Sequence, residues 1–280
     1  MPNFVRLPQS KRKTDVFIKN LPRKATFAIA IAISLCLFWQ AIVIGFAPPP
    51  YILPGPARVF AALLDNWVYL FENAGITALE IVLGLIAGIS LGMASALSMA
   101  AFPALSRVML PALIVTQALP VFAIAPLLVL WFGYGLASKV VMATLIIYFP
   151  VASAFFDGLR RTDQGLLDLA DLYRAAPRQR LMLFRLPFAV PGLVSGIRVA
   201  ATVAPIGAVV GEWVGSSAGL GFVMLHANAR IQTDVMFAAL FILAAMAIVL
   251  RLLVEALTRD LVSWMPESNS SGQISQPRTY

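Results

Sequence analysis

Apolar residues occur in six runs, and short polar segments separate these runs along the chain. The runs cover residues 25–46, 74–100, 108–132, 138–154, 188–210 and 235–257. Each run is close in length to the roughly 20 residues that a helix needs to cross the hydrocarbon core of a bilayer. The pattern therefore predicts an all-α integral membrane protein with about six transmembrane helices.

The six runs divide the chain into five regions. These are a basic cytoplasmic N-terminus at 1–24, a first transmembrane helix at 25–47, an external interfacial segment at 48–73, a core of five transmembrane helices at 74–258 and a disordered cytoplasmic tail at 259–280. The first run is interpreted as an uncleaved span and not as a signal peptide. Ala-Pro-Pro-Pro follows it, where a signal peptide would carry a cleavage site of small residues.

The interfacial segment contains a short apolar pattern of its own. Val59, Phe60, Leu63 and Leu64 recur at helical spacing after two prolines. This spacing predicts an amphipathic helix that lies along the outer membrane surface. A plain external loop is the alternative.

Composition and charge support the membrane assignment. The chain is 60% hydrophobic and 12% charged, with a mean hydropathy of +0.86, whereas soluble domains are about half apolar and a quarter charged. Of the 21 Lys and Arg residues, all except Arg58, Lys139 and Arg230 fall on one side of the predicted topology. The positive-inside rule places that side, with both termini, in the cytoplasm. The net charge of +8 thus does not indicate a nucleic-acid partner.

The sequence contains no motif for ATP hydrolysis or for metal binding. A single cysteine, Cys36, and a single histidine, His226, exclude an internal disulfide and a zinc site built from His and Cys. The phosphate-binding pattern G-x-x-x-x-G-K-[ST] and the zinc pattern H-E-x-x-H are absent. We therefore expect a protein that is not an enzyme and has no cofactor. Energy from ATP would have to come from a partner subunit.

Small and polar residues inside the runs predict how the helices pack. Gly84, Gly88 and Gly92 repeat every four residues, which predicts a seam where another helix approaches closely. Glu80 lies in the same run. An acid in a span is costly, so it should face the interior of the bundle or lie near the outer interface.

Polar and proline residues supply candidates for lining a translocation pathway. The candidates are Glu80, Gln117, Pro120, Glu212 and Trp213. Prolines free backbone carbonyls in kinked helices, which favours Gln117 and Pro120, although Gln117 bridging two helices is an equal alternative. Glu212 and Trp213 stand at the exit of the fifth run, where they could instead anchor that span at the interface.

The longest polar interval, residues 166–192, begins after the fourth run and extends into the start of the fifth. The residues predicted to share the apolar face of a first short helix are Leu166, Leu169, Ala170 and Tyr173. Pro177 must interrupt this helix or begin the next one, and a second, basic run is predicted to end at Pro187. We expect two short helices that are joined by a bend on the cytoplasmic side.

This interval resembles the coupling loop, or EAA loop, of ABC-importer permeases. The family pattern is Glu-Ala-Ala, three residues, Gly, nine residues and Ile-x-Leu-Pro. Asp168, Leu169 and Ala170 take the first three places, Arg174 stands in the Gly place, and Phe184 in the Ile place precedes the closing Leu-Pro. The resemblance implies an ATPase-coupling loop that comprises Asp168, Leu169, Ala170, Arg174, Ala175, Pro177, Leu186 and Pro187. An ordinary basic loop between two spans is the alternative.

The resemblance extends over residues 50–258 and implies the permease subunit of a type I ABC importer. A permease of this kind lies in the bacterial cytoplasmic membrane as a homodimer within the lipid bilayer. The implied protein partners are an ATP-binding cassette ATPase subunit and an extracytoplasmic substrate-binding protein.

The resemblance also implies a class of cargo. Residues 205–234 are similar to permeases for thiamine pyrimidine precursors such as hydroxymethylpyrimidine, and the same branch serves nitrate, sulfonates and taurine, which are the alternative cargo. A flat heterocycle needs aromatic faces and a few hydrogen-bonding groups, which Glu212 and Trp213 could supply. An alternative of another class is an ion-coupled secondary transporter with Glu80, Arg198 or Glu255 as relay residues.

Overall fold

The protein is described by a computed structural model that covers residues 12–118 and 120–263, and this part contains helices and no strand. The helices are α1 (Arg12–Phe46), α2 (Pro56–Asp65), α3 (Trp67–Ala101), α4 (Pro103–Ala118), α5 (Val121–Phe132), α6 (Leu136–Arg160), α7 (Gln164–Leu172), α8 (Pro177–Gln179), α9 (Leu186–Trp213), α10 (Leu220–Ala229) and α11 (Thr233–Arg259). A π-helical segment at Arg180–Arg185 joins α8 to α9, and a 3-10 turn at Asp260–Val262 follows α11. Residues 1–11 of the predicted N-terminal region and residues 264–280 of the predicted tail lie outside the described residues.

Among the described residues, helices long and apolar enough to cross a membrane correspond to five of the six apolar runs when a bent pair counts as one span. Four are long and apolar enough by themselves: Trp67–Ala101, Leu136–Arg160, Pro177–Trp213 and Thr233–Val262. A bent pair, Pro103–Thr116 with Val121–Phe132, supplies a fifth span, and Ala30–Phe46 is a shorter apolar helix. The predicted all-α membrane fold is confirmed.

The third apolar run is not one straight helix. Its two halves, α4 and α5, meet at an angle of 101°. Pro120 caps the start of α5 in an extended conformation. Proline has no backbone N–H and disfavours a helical residue before it, so the helix breaks there. Pro111 and Pro126, in contrast, lie inside α4 and α5.

The predicted glycine seam on α3 is confirmed, and the helix that packs against it is α6. A Cβ atom added to Gly84 or Gly88 would lie 2.5 Å from the side chain of Ala143 or Ile147, respectively. A Cβ atom on Gly92 would lie 2.9 Å from Val151. Glycine therefore lets the two helices approach more closely than any side chain would permit.

A second glycine seam lies on α9 and packs against the other side of α6. A Cβ atom added to Gly192 would lie 2.6 Å from the carbonyl oxygen of Ala154, and one on Gly207 would lie 2.8 Å from the Cα atom of Ala143. Ala143 is thus in contact with Gly84 of α3 and Gly207 of α9. Helix α6 therefore forms the centre of the bundle, and it packs against glycine positions of both α3 and α9.

Helices α2, α10 and α11 pack together beside the first turns of α3. Their shared core contains Val59, Leu70, Leu220, Val223 and Ala238. The predicted helix after the first run is present as α2, but it buries Val59 and Ala62 while Phe60 and Leu64 are exposed. Its place at the membrane surface stays a prediction. Helix α3 begins at Trp67, seven residues before the predicted second run.

Candidate functional site

Helix α9 separates two candidate regions at its opposite ends. It has 28 residues, which corresponds to a length of about 42 Å. A group of buried polar side chains, which we call the polar cluster, surrounds its C-terminal end and consists of Asn73, Thr77, Glu80, Lys139 and Glu212. The predicted coupling loop precedes its N-terminal end. We call these two regions the α10 end and the α7 end.

Glu212 binds the first turn of α10. One of its carboxylate oxygens accepts a hydrogen bond from the Thr77 hydroxyl at 2.6 Å. The other oxygen accepts hydrogen bonds from the backbone N–H groups of Gly221 and Phe222, the latter at 3.3 Å. The first N–H groups of a helix have no partner within the helix, so a carboxylate from α9 supplies acceptors that α10 itself lacks.

Two side chains of α3 complete this cap. The Thr77 hydroxyl oxygen accepts a hydrogen bond from the Leu220 N–H at 2.8 Å, and the Asn73 carbonyl oxygen accepts one from the Gly219 N–H at 2.7 Å. Four consecutive backbone N–H groups, at 219–222, are therefore bonded to side chains of α3 and α9. A negative charge at this position also interacts favourably with the helix dipole of α10.

Two glycines of the loop before α10 make room for the Glu212 carboxyl. Gly219 has a φ angle of +107°, and a Cβ atom there would overlap the carboxyl group. A Cβ atom on Gly221 would lie 2.8 Å from the nearer carboxylate oxygen. The glycine-rich character of the segment after the fifth run is thus explained by the way its backbone closes over an acidic side chain.

Glu80 and Lys139 form the remainder of the polar cluster. The Glu80 carboxyl lies against that of Glu212. Both side chains are 1% exposed. The Lys139 ammonium donates hydrogen bonds to the carbonyl oxygens of Tyr134 at 2.9 Å and Gly135 at 3.1 Å, which lie in the loop before α6. The hydrogen bonds of Asn73, Thr77 and Glu212 therefore tie α3, α9 and α10 together, and Lys139 holds the loop that leads into α6.

The other pathway candidates lie outside this cluster. Trp213 is half-exposed next to Glu212, and Pro120 is exposed at the break between α4 and α5. The side chain of Gln117 lies outside the described part of the chain. That these residues line a pathway stays a prediction.

At the α7 end, the predicted pair of short helices is present, but the first helix buries a different face. Asp163 caps α7 by accepting a hydrogen bond from the Leu166 N–H at 3.3 Å. Helix α7 buries Leu167 and Ala170, and Leu169 and Tyr173 of the predicted apolar face are exposed. Of the four residues predicted to share one face, only Ala170 is buried, because apolar residues occur on adjacent sides of this helix and spacing alone does not select the buried side.

The turn after α7 holds Arg174 in a left-handed conformation, with a φ angle of +50°. The Ala175 N–H donates to the Ala170 carbonyl oxygen, and the Arg174 N–H donates to that of Asp171, both at 2.9 Å. This pair of bonds defines a Schellman motif, whose left-handed position is usually glycine. The loop pattern of the family has Gly at this place, and the chain has Arg174 there in a backbone conformation that favours glycine.

The second helix of the loop was predicted to end at Pro187. That prediction was wrong, because the helix continues through Pro187 into α9. Leu186 and Pro187 form the first turn of α9, directly after the π-helical segment. Proline lacks the N–H that would bond one turn back, and a π-helical segment changes the register of those bonds. Asp171 on α7 forms an exposed ion pair with Arg180 of the π-helical segment at 2.7 Å, which joins the two parts of the loop.

The comparisons with known proteins identify the family of this chain. Residues 81–263 match the family described as the binding-protein-dependent transport system inner membrane component. The chain is also similar to a methionine ABC transporter solved in inward-facing conformations, with a TM-score of 0.61 and 18% identity over 70% of this chain and 98% of that chain. That likeness concerns the fold alone.

Relatives of this chain carry several different cargo names. A probable ABC transporter permease of Haemophilus influenzae is 52% identical over 77% of this chain and 88% of its own length. The formylaminopyrimidine permease ThiX of Halalkalibacterium halodurans is 32% identical over 82% and 92%, and the riboflavin permease RibX of Chloroflexus aurantiacus is 35% identical over 88% and 94%. Permeases named for aliphatic sulfonates and for taurine match at 30% and 29% identity. The chain belongs to the inner-membrane component family of binding-protein-dependent transport systems, and it is a permease subunit of an ABC importer.

Proposed function

We propose that this permease forms the translocation pathway for a small pyrimidine, a thiamine precursor such as hydroxymethylpyrimidine. The main support is the 32% identity to a permease that is named for formylaminopyrimidine and matches over 92% of its length. The relative named for riboflavin adds a second flat heterocycle. Its name supports a preference for aromatic nitrogen compounds as a class.

The basic side chains within the spans give further support against an anionic cargo. An anion path needs cations that replace its water of hydration. Lys139 binds two backbone carbonyl oxygens, the Arg198 Nε donates to the Thr258 hydroxyl at 3.1 Å, and Arg251 donates to the Arg198 carbonyl oxygen at 2.8 Å. The two arginines thus join α9 to α11, and Lys139 is bonded to the loop directly before its own helix, α6. The alternative is an importer of a sulfonate, taurine or nitrate, and the experiment must distinguish these cargoes from a pyrimidine.

Growth of a thiamine-requiring strain on limiting hydroxymethylpyrimidine tests the cargo. Strains with and without this gene and its neighbours are compared, and we expect growth only when the gene is present. The matched arms use taurine, an alkanesulfonate or nitrate as the limiting nutrient. Dependence on the gene in one of those arms, with no dependence for the pyrimidine, would show that the cargo is an anion.

We propose that the exposed part of α7 and the turn after it contact the ATPase subunit. Leu172 and Tyr173 are 79% and 77% exposed, and Leu169 lies beside them. Three apolar side chains at the end of a span, on an amphipathic helix outside the bundle, favour contact with a partner protein. Ala170 is fully buried beneath them and sets how far α7 stands from the bundle.

Substitutions in α7 test this contact. Ala170→Trp is expected to displace α7 and abolish transport while the protein stays in the membrane, and Asp168→Lys is expected to weaken the complex through reversed charge. A double variant, Leu172→Ser with Tyr173→Ser, should lose co-purification of the ATPase. Leu261→Ser, an exposed apolar residue beyond α11, is the matched control. Normal transport by both the Ala170→Trp and the Asp168→Lys variants would show that the loop only connects two spans and does not contact the ATPase.

We propose that both termini are cytoplasmic, that the α10 end faces outward toward a substrate-binding protein, and that two copies of the permease assemble. Single cysteines at Ser10, Ser217 and Ser268, in a background with Cys36→Ser, test the orientation. Ser217 is exposed in the loop before α10. An impermeant thiol reagent should label only the Ser217→Cys variant in intact cells. Labelling of the Ser10→Cys variant from outside would show that the N-terminus is external and that the proposed orientation is wrong.

A further inference from the structure

A cleft opens at the α7 end, between the end of α3 and the start of the helix that leads into α9. Its volume is about 380 Å³, and its walls include Phe102, Pro177, Arg178, Arg180, Leu181 and Arg185. This volume falls within the range of about 300–1,000 Å³ that is usual for small-molecule sites. The cleft lies outside the polar cluster and outside the exposed face of α7.

The lining of the cleft is basic on one side and apolar on the other. Three arginines contribute to it, and none of the residues that line it is acidic. Arg180 is already paired with Asp171, which leaves Arg178 and Arg185 as the cations available to a ligand. Among the described residues, the Nε atom of Arg185 is buried without a hydrogen-bond partner, and a buried donor of this kind is costly to leave unbonded.

The cleft lies where two helices that are long and apolar enough to cross a membrane end and begin. The spanning helix α3 ends at Ala101, and Phe102 follows it with an exposed side chain. The opposite wall begins at Pro177, the first residue of a continuous helix of 37 residues that also spans. The N-terminus of a long helix favours an anion, because its first N–H groups and its dipole point toward that end.

We propose that this cleft binds the phosphate of an anionic phospholipid headgroup in the membrane leaflet at the α7 end. Arg178 and Arg185 contact the phosphate, and the acyl chains leave the cleft along Phe102 toward the bilayer. Basic pockets between transmembrane helices on one side of a membrane are suited to anionic headgroups. A lipid matches both walls of the cleft, whereas an acidic side chain of a partner protein would match only the arginines.

Lipid binding to the purified full-length protein tests the proposal. The melting temperature in detergent and the bound lipid in native mass spectra are measured with phosphatidylglycerol, phosphatidylcholine or inorganic phosphate. Phosphatidylglycerol should stabilise the protein most. The double variant Arg178→Gln with Arg185→Gln should bind it about tenfold more weakly or worse, since two charge-assisted hydrogen bonds are lost. Arg107→Gln, which removes a charge on neighbouring α4, is the matched control and should bind normally.

Three outcomes would overturn the proposal. Equal binding of phosphatidylglycerol by the wild type and the double variant would show that the two arginines do not contact the lipid. Equal stabilisation by inorganic phosphate would assign the cleft to a free anion. If the double variant loses co-purification of the ATPase while its lipid binding is unchanged, the cleft is a contact site for the partner subunit. Arg185→Lys, which keeps the charge but not the planar guanidinium, provides a folded variant with intermediate binding if the double variant aggregates.

Discussion

Acidic side chains at the two ends of α9 have contrasting environments. At the α10 end, Glu212 is 1% exposed, and its carboxylate accepts hydrogen bonds from a hydroxyl and two backbone N–H groups. At the α7 end, Asp171 pairs with Arg180 while its side chain is 57% exposed. Burial makes each bond of Glu212 expensive to break, because water does not replace the lost partner. An exposed ion pair contributes at most about 1 kcal/mol.

The difference indicates which end of the permease is rigid. Helix α10 is fixed to α3 and α9 through bonds that all converge on one small region, so it should move with the bundle as one body. Helix α7 is held mainly by two buried side chains, Leu167 and Ala170, and by a surface ion pair. We expect α7 to follow a bound partner, while α10 keeps the same place relative to α9.

Glu212→Ala should destabilise the protein more than any other substitution at either end of α9. It leaves the N–H groups of Gly221 and Phe222 and the hydroxyl of Thr77 without an acceptor in a buried place, at about 1–3 kcal/mol for each unsatisfied group. We expect a lower melting temperature and much faster hydrogen exchange at residues 220–223. Glu72→Ala, on an exposed position of α3, is the control for removal of an acid.

Glu212→Gln provides a finer version of the same test. The amide keeps the shape and one acceptor oxygen, so roughly half of the destabilisation should remain. Exchange at residues 220–223 that is as slow in Glu212→Ala as in the wild type would show that α10 is held by its apolar contacts alone. The two ends would then be equally adaptable.

Gly219→Ala should have the second largest effect. The new Cβ atom would overlap the Glu212 carboxyl, and the φ angle of +107° is strained for any residue other than glycine, at about 1–3 kcal/mol. The matched control is Gly75→Ala on α3, where a Cβ atom meets nothing within 4 Å. That control should be neutral or stabilising by about 0.5–1 kcal/mol, because alanine favours helices. Equal melting temperatures for the two variants would contradict the packing of the loop over Glu212.

Features that depend on composition over several residues could be predicted from the sequence. The spans follow from apolar runs, since a helix in lipid needs apolar residues over its whole length. The seam of Gly84, Gly88 and Gly92 follows from a repeat of four, which places all three on one side of a helix. The sequence does not name α6 as the partner, because Ala143 and Val151 are small or branched residues like many others in the chain.

Features that depend on the rotation of one helix against another could not be predicted. Glu212 and Thr77 are 135 positions apart, and no local pattern links them. The break at Pro120 and the continuous helix at Pro187 also show that a proline alone does not decide whether a helix ends. Before Pro187 the backbone adopts a π-helical segment, whereas at Pro120 the chain adopts an extended conformation.

Arg174→Gly should have the smallest effect and should stabilise the α7 end. Glycine adopts the left-handed conformation of the Schellman motif at no steric cost, and removal of this strain is expected to gain about 0.5–1 kcal/mol. The bond from the Ala175 N–H to the Ala170 carbonyl oxygen should then open less often. Hydrogen exchange of the Ala175 N–H should slow by about two- to fivefold, because a gain of about 0.5–1 kcal/mol lowers the population of the open state by that factor.

Arg174→Ala separates the backbone effect from the loss of charge. Alanine removes the guanidinium but keeps the strain, so exchange at Ala175 should stay close to that of the wild type. If Arg174→Ala slows exchange as much as Arg174→Gly does, the charge and not the backbone governs the turn. Transport by Arg174→Gly then reports on the adaptable end directly. A tighter cap that leaves transport unchanged would mean that α7 and its turn move as one unit with the partner, whereas reduced transport would mean that coupling requires the turn to open.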